Sequence, residues 1–315
     1  MASTERFLKI GITCYPVYGG SGVVATELGL ELAKRGHEVH FITYAQPFRL
    51  PRFVERVYYH EVTVPAYPLF DYPPYSLALS VAMHSAAVHH DLDLLHVHYA
   101  VPHATSAWLA REMLERSDFR IITTLHGTDI TLVGSDPSYE TVTRFSLQRS
   151  DGLTAVSEYL RRETIERFGV SCERIHTIPN FVDLSEYRRD RDACHRSQFA
   201  APDEKVLMHI SNFRPVKRME DVVRVFGRVS RRIPSRLVLI GDGPDRGRAE
   251  QAAIEEGVAS RVRFLGKQES VADLLACADL FLLPSQLEAF GLVALEAMAC
   301  GVPVVACRVG GIGEV

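Results

Sequence analysis

Two carboxylates eight residues apart mark the stretch from Pro284 to Ala306, PSQLEAFGLVALEAMACGVPVVA. The pattern reads as a strand end, a loop carrying Glu288, a helix over roughly 291–300 and another strand. The helix is apolar nearly all round. Its one charged residue is Glu296, whose neighbours three and four positions away are Leu292, Val293, Ala299 and Cys300. Such a helix is buried, and a lone carboxylate within it is costly unless something satisfies it. Phe290, Gly291 and Leu292 place bare backbone N–H groups at the helix N-terminus, where an anion binds well. Two acids, a small-residue turn and a helix N-terminus suit a phosphorylated sugar carrying free hydroxyls. The competing reading is a structural Glu paired to a Lys or Arg from elsewhere.

Three other stretches carry residues of chemical interest. Ser211 to Arg218, SNFRPVKR, sets Arg214, Lys217 and Arg218 between a strand end and a helix, which suits a pyrophosphate; a solvated basic turn is the alternative. His126-Gly127-Thr128-Asp129 follows a predicted strand, and ligands of open α/β sheets bind off the carboxyl ends of strands. His96 and His98 point to one face of a strand that ends at Tyr99. No third ligand stands at a spacing that would make them a metal pair, so packing or hydrogen bonding is expected of them, with Tyr99 the functional member.

The elements that position these groups alternate. Strands are predicted at 7–13, 38–43, 93–98, 120–125, 151–156 and 176–181, then at 205–210, 236–240, 262–265 and 280–283, with helices between most of them. This is the pattern of doubly wound α/β domains. The glycine stretch Gly19-Gly20-Ser21-Gly22 fits a dinucleotide fingerprint through Ala25. Its glycines begin six residues past the strand end, however, and the next strand ends Ile42-Thr43-Tyr44 with no acid to hold a ribose. It reads instead as a flexible loop whose N–H groups close over a phosphate or carboxylate. Residues 44–75 are expected to be irregular, and His84, His89 and His90, on or ending the helix over 76–90, to be solvated.

At 315 residues the prior is two domains, placed at 1–183 and 205–315 with a charged linker over 184–204. Net charge is −4, so no basic field invites nucleic acid. No apolar run is long enough to span a membrane. The polar N-terminus is not a signal peptide, and the six scattered cysteines form no CxxC pair. A cytoplasmic protein without disulfides is expected.

Glu288, seven residues, Glu296 and then AMACGVPVVA resemble the nucleotide-sugar site of the family 4 retaining glycosyltransferases, and the resemblance extends over essentially the whole chain. It implies the GT-B fold, an α/β architecture of two Rossmann-like domains facing across a cleft. Family members continue for a further strand and terminal helices, so the C-terminal domain looks incomplete. Within the family, KIGITCYPVYGGSG, HEVHFIT, FDYPPY, HVHYAVPHA, TTLHGTDIT and SNFRPVKR are most like members that transfer N-acetylglucosamine from UDP-N-acetylglucosamine to L-malate, the first step of bacillithiol biosynthesis.

The resemblance also implies roles. Lys217, with Arg214 or Arg218, would hold the pyrophosphate, with Asn212 and Gly20 beside the donor. Glu296 would hold the ribose, Glu288 the sugar hydroxyls, and His126 a hydroxyl that positions the donor sugar. Arg144 would grip a malate carboxylate, helped by Ser21, Tyr99, Thr124 and Thr128. Front-face attack, with the departing phosphate taking the acceptor's proton, is the implied mechanism. No Asp-x-Asp pair stands at the site, so no metal and no further cofactor is expected. A homo-oligomer is possible. One departure stands out: many members carry Arg where this chain has Asn212, and Asn cannot neutralise charge. Another acceptor, or a UDP-N-acetylglucosamine 2-epimerase, is the alternative function.

Overall fold

The computed structural model describes residues 6–17, 19–65, 68–189 and 196–315. Two compact units make up the chain, Met1–Pro179 and Asn180–Val315.

The first unit is built on a seven-stranded parallel sheet. Its strands are β1 Lys9–Thr13, β2 Glu38–Thr43, β3 Val57–Glu61, β4 Leu94–His98, β5 Arg120–Leu125, β6 Gly152–Ala155 and β7 Ile175–Thr177, in the order β3-β2-β1-β4-β5-β6-β7. The helices α1 Gly20–Lys34, α2 Tyr75–His90, α3 Thr105–Leu114, α4 Thr128–Thr131, α5 Pro137–Arg149 and α6 Glu158–Phe168 connect them. Strands covered on both faces read as near-continuous apolar runs, and β1 and β2 are buried along almost their whole length. Ile42, Leu79, Met83, Leu95, Val97, Phe119 and Ile121 make the core on one face. Ile12, Ala25, Val39 and Phe41 belong to another cluster. Capping sets helix starts: Asp136 accepts from the Ser138 N–H with Pro137 opening α5, and Ser157 accepts from the Leu160 N–H at α6.

The second unit has a five-stranded parallel sheet in the order β10-β9-β8-β11-β12. The strands are β8 Lys205–Ile210, β9 Ser235–Ile240, β10 Val262–Gly266, β11 Leu280–Leu283 and β12 Val304–Ala306. Helices α7 Met219–Ser230, α8 Arg246–Glu255, α9 Ala272–Ala276 and α10 Leu292–Ala299 complete it. Met219, Val222, Val223 and Phe226 form the buried stripe of amphipathic α7.

Four expectations need correction. Residues 44–75 are not irregular throughout, because β3 lies within them and forms the sheet edge. Gly20–Gly22 is the first turn of α1 rather than a free loop, and Gly22 is a glycine because a Cβ there would lie 2.5 Å from the Tyr15 carbonyl oxygen. His84 and His90 are half-buried instead of solvated, His90 against His40 and His60, although His89 is exposed. Cys277 is disulfide-bonded, whereas Cys14, Cys172, Cys300 and Cys307 are free; Cys194 lies outside the described residues. No helix among the described residues is long and apolar enough to cross a membrane.

Candidate active site

Each sheet has one place where the strand order reverses, between β1 and β4 in the first and between β8 and β11 in the second. The loops leaving the two flanking strands diverge there and open a crevice at the carboxyl ends. Most of the residues singled out from the sequence fall at those two places.

In the first unit, Tyr15 follows β1 and Tyr99 follows β4. Their rings meet edge to face with centroids 5.2 Å apart. Tyr99 holds φ at 97°, a left-handed conformation costly for a bulky residue. Its N–H donates to the Thr124 carbonyl at 3.0 Å and its ring stacks on His126 at 5.6 Å. His126 Nε2 lies 2.8 Å from His98 Nδ1, and His96 Nε2 lies 2.7 Å from Thr124 Oγ1, which is in turn 2.7 Å from Thr154 Oγ1. The His-x-His pair therefore serves packing and hydrogen bonding, as the sequence suggests. Burial, reinforced by the neighbouring imidazoles, pulls His126 down to about 3, so its ring is neutral near pH 7.

Asp129 fixes this turn. It is wholly buried, and its carboxylate accepts the N–H groups of Gly127 at 2.9 Å and of His126 and Ala100 at 3.2 Å each. Desolvation still pushes its pKa up to about 6 against those three donors. Thr128, the first residue of α4, is half-buried. Gly20 is exposed and Ser21 half-buried at the start of α1, with the N-terminal turn lying against the Tyr15 backbone. Tyr99, Thr124, His126 and Thr128 are thus brought together. Arg144, on α5, donates to the Phe168 carbonyl at 2.7 Å and to Glu140 at 3.0 Å, and its guanidinium lies over the Phe168 ring.

In the second unit, Lys217 comes from the loop after β8 and Glu288 from the loop after β11. Lys217 Nζ lies 2.5 Å from Glu288 Oε1, which also accepts from Ser285 Oγ at 2.7 Å. A backbone bond from the Gln286 N–H to the Val216 carbonyl, 2.8 Å, joins the same two loops. The β8 loop is organised from beneath by His209. This neutral, buried ring gives Nδ1–H to the Leu282 carbonyl and receives Ser211 Oγ on Nε2, both at 2.8 Å, and Ser211 Oγ accepts the Phe213 N–H. Asn212 and Arg214 are exposed, and Arg218 pairs with Asp221 at 2.6 Å. Gly241, at φ 115°, passes so close to Ser211 that a Cβ would sit 1.8 Å from its carbonyl oxygen.

The start of α10 is set by Gly291, which adopts φ 98° as N-cap behind the buried Phe290, with Leu292 the first helical residue. Glu296 is 6% exposed, and Tyr187 Oη donates to its Oε1 at 2.7 Å. The terminal segment closes over this loop, with the Gly311 N–H on the Glu288 carbonyl at 2.9 Å. Sequence reasoning missed Tyr15, Asp129, Tyr187 and His209 as site-building residues. Asp129 carried a signal, the HGTD turn itself; the other three act through contacts distant in the chain.

A lysine–carboxylate pair, a helix N-terminus and a buried second carboxylate beyond the ends of neighbouring strands suit a sugar nucleotide. Residues 18–186 match the profile of Glycosyltransferase Family 4. The chain belongs to this family. Residues 190–315 of this glycosyltransferase match a second profile, Glycosyl transferases group 1. Among curated relatives, it is 52% identical over 309 residues to the N-acetyl-alpha-D-glucosaminyl L-malate synthase of Bacillus anthracis, covering 98% of this chain and 81% of that protein. It is 30% identical to the D-inositol 3-phosphate glycosyltransferase of Nocardia farcinica, over 93% of this chain and 70% of the relative. Its fold is that of the sucrose-phosphate synthase of Thermosynechococcus elongatus, with TM-score 0.77, 24% identity and coverage of 98% and 83%. Anabaena HepE, solved with UDP-glucose, has the same fold, with TM-score 0.76, 22% identity and coverage of 98% and 82%. The GT-B architecture expected from the sequence is the one found.

Proposed function

We propose that this glycosyltransferase moves N-acetylglucosamine from UDP-N-acetylglucosamine to the hydroxyl of L-malate with retention at the anomeric carbon. The observation that carries this reading is the 52% identity, over 98% of the chain, to a protein named for that product. The second unit is assigned the donor. Lys217 stabilises the charge that develops on the diphosphate as the sugar leaves, with Arg214, Arg218, Asn212 and the N–H groups at Phe290–Leu292 in support. Glu288 orients Lys217 and accepts sugar hydroxyls, and Glu296 accepts the ribose hydroxyls. The first unit is assigned the acceptor, held by Tyr99, Thr124, Thr128, Arg144 and Ser21, with Gly20 beside the donor. Neutral His126 accepts or donates to a hydroxyl of the transferred sugar without adding charge.

In the reaction the bond from the anomeric carbon to the β-phosphate oxygen breaks. The malate oxygen bonds to the same face of that carbon, and its proton passes to the departing phosphate oxygen, giving UDP. Mass spectrometry of products from the purified chain, UDP-N-acetylglucosamine and a panel of acceptors tests this. An N-acetylglucosaminyl-malate conjugate is expected, absent with lactate, glycerate and D-inositol 3-phosphate. A conjugate with another acceptor in place of malate would overturn the acceptor, and free sugar with UDP and no conjugate would overturn transfer.

A further inference from the structure

A cluster of three histidines lies away from the glycosyltransferase site. His40 is the third residue of β2, His60 the fourth of β3, and His90 the last of α2. Each offers one ring nitrogen such that the three lie within 4.8 Å of one another. His40 is wholly buried, while His60 and His90 are half-buried. His40 Nδ1 and His60 Nε2 stand 2.8 Å apart in rings inclined by only 14°, so the two imidazoles meet head to head. The ring of His90 lies 4.6 Å from that of His40 and 4.9 Å from that of His60.

The surroundings define which nitrogen is available. His40 Nε2 lies 2.9 Å from Glu38 Oε1. A carboxylate only accepts, so Nε2 carries the proton and Nδ1 accepts from His60 Nε2–H; a bound cation would take the place of that proton, with His60 in its Nδ1–H tautomer. A carboxylate fixing one imidazole nitrogen while the other faces a cation is the outer-shell arrangement that orients metal-ligating histidines. Tyr58 stacks on His40 at 4.8 Å and holds the ring in place. Lys9 turns its ammonium to the His90 carbonyl oxygen at 3.0 Å, on the backbone side of that residue.

We propose that His40 Nδ1, His60 Nε2 and a ring nitrogen of His90 form a binding site for a divalent cation of the zinc class, with Glu38 as the orienting carboxylate. Three imidazoles and an open position suit Zn²⁺ better than Mg²⁺ or Ca²⁺, which take oxygen ligands. Zinc–nitrogen bonds of about 2.0–2.1 Å in tetrahedral geometry put ligand nitrogens about 3.3 Å apart. His40 and His60 stand about half an ångström closer than that and face each other head to head, so both rings turn as they part to aim their lone pairs at one ion, and His90, at a helix end, swings inward. Bound metal would tie edge strand β3 and the C-terminal end of helix α2 to β2.

This site is not the transferase centre. His40 is level in register with Gly11, Leu95 and Ile121, so it lies five residues along the sheet and three strand steps from His126. That is about 20 Å at ordinary strand rise and spacing. The proposal therefore stands independently of the substrate reading.

The test uses the full chain stripped with chelator, Zn²⁺ alone as the probe, and a competing chromophoric chelator to read affinity and stoichiometry. One equivalent is expected per chain. His60→Gln and His90→Ala should each weaken it at least about 100-fold, Glu38→Gln should weaken it about 10–100-fold, and the exposed neighbour His89→Ala should leave it unchanged. Thermal unfolding supplies a second readout: Zn²⁺ raises the melting temperature of the wild type and of His89→Ala, but not of His60→Gln or His90→Ala. Equal affinity in all variants would place the metal elsewhere and overturn the assignment. So would the absence of any stoichiometric binding in a wild-type chain shown to be folded by its unfolding transition.

Discussion

Replacing Lys217 by Met separates the two jobs assigned to the Lys217–Glu288 pair. The side chains are 20% and 11% exposed and 2.5 Å apart. Like-sized charges about 4 Å apart attract by about 4 kcal/mol at an effective dielectric of 20, and removing one partner of a buried pair costs about 3–5 kcal/mol. Glu288 keeps Ser285 Oγ and some solvent, so Lys217→Met should lower stability by about 2 kcal/mol. Its effect on turnover should be larger. Removing one group that stabilises developing charge costs about 10²–10³ in kcat, or about 3–4 kcal/mol. The double variant Lys217→Met/Glu288→Gln carries no unpaired charge, so its urea midpoint should return most of the way to wild type while kcat stays low. UDP release in a coupled assay and urea unfolding measure the two quantities on the same preparations. If kcat recovered together with stability in the double variant, or stayed within threefold of wild type in Lys217→Met, the lysine would be structural. The diphosphate would then have to be held by other groups.

Three further outcomes follow from the site. Glu296→Gln keeps an oxygen for Tyr187 but loses the charge, so calorimetry should show UDP-sugar affinity reduced about 10–100-fold with little change in stability, whereas Tyr187→Phe should cost about 1–2 kcal/mol of stability. Asp129, raised to about 6, binds its proton more tightly folded than unfolded, so its contribution to stability is greatest below about pH 4 and is lost as pH rises through 6, a swing of about 3 kcal/mol. The difference in unfolding free energy between wild type and Asp129→Asn should trace that swing across pH 4–6.5; a constant difference would refute the assignment. Arg144→Ala should raise KM for malate and leave UDP affinity intact, and the opposite pattern would remove Arg144 from the acceptor side.

How much of this was legible depends on where the stabilising partner lies in the chain. Buried parallel strands announce themselves as apolar runs, so β1, β2, β4, β5, β8 and β11 were readable. The edge strand β3, VYYHE, was not: only one side is paired, Tyr58 is exposed, and its composition resembles the Tyr- and Pro-rich stretches around it. The glycines at 20–22 read as a flexible anion-binding loop. Gly22 is needed there because α1 packs against the Tyr15 backbone, a steric demand no local pattern reveals. The site residues were found for a simpler reason: their loops follow recognisable strand ends, and the carboxyl ends of strands are where a doubly wound sheet binds ligands. What those loops do to each other was not readable. Lys217 and Glu288 are 71 residues apart and Tyr187 and Glu296 are 109 apart. The apolar helix around Glu296 did predict that its carboxylate needs a partner. It could not predict Tyr187, which sits in a stretch charged enough to read as a linker and is nevertheless 3% exposed in the core of the second unit. Topology supplies what spacing cannot. Because β8 and β11 are neighbours at the reversal, the loops leaving their carboxyl ends start side by side before they diverge, which brings Lys217 on one within reach of Glu288 on the other. The Lys217–Glu288 contact is thus a consequence of strand order, and the same reasoning on β1 and β4 accounts for Tyr15 meeting Tyr99.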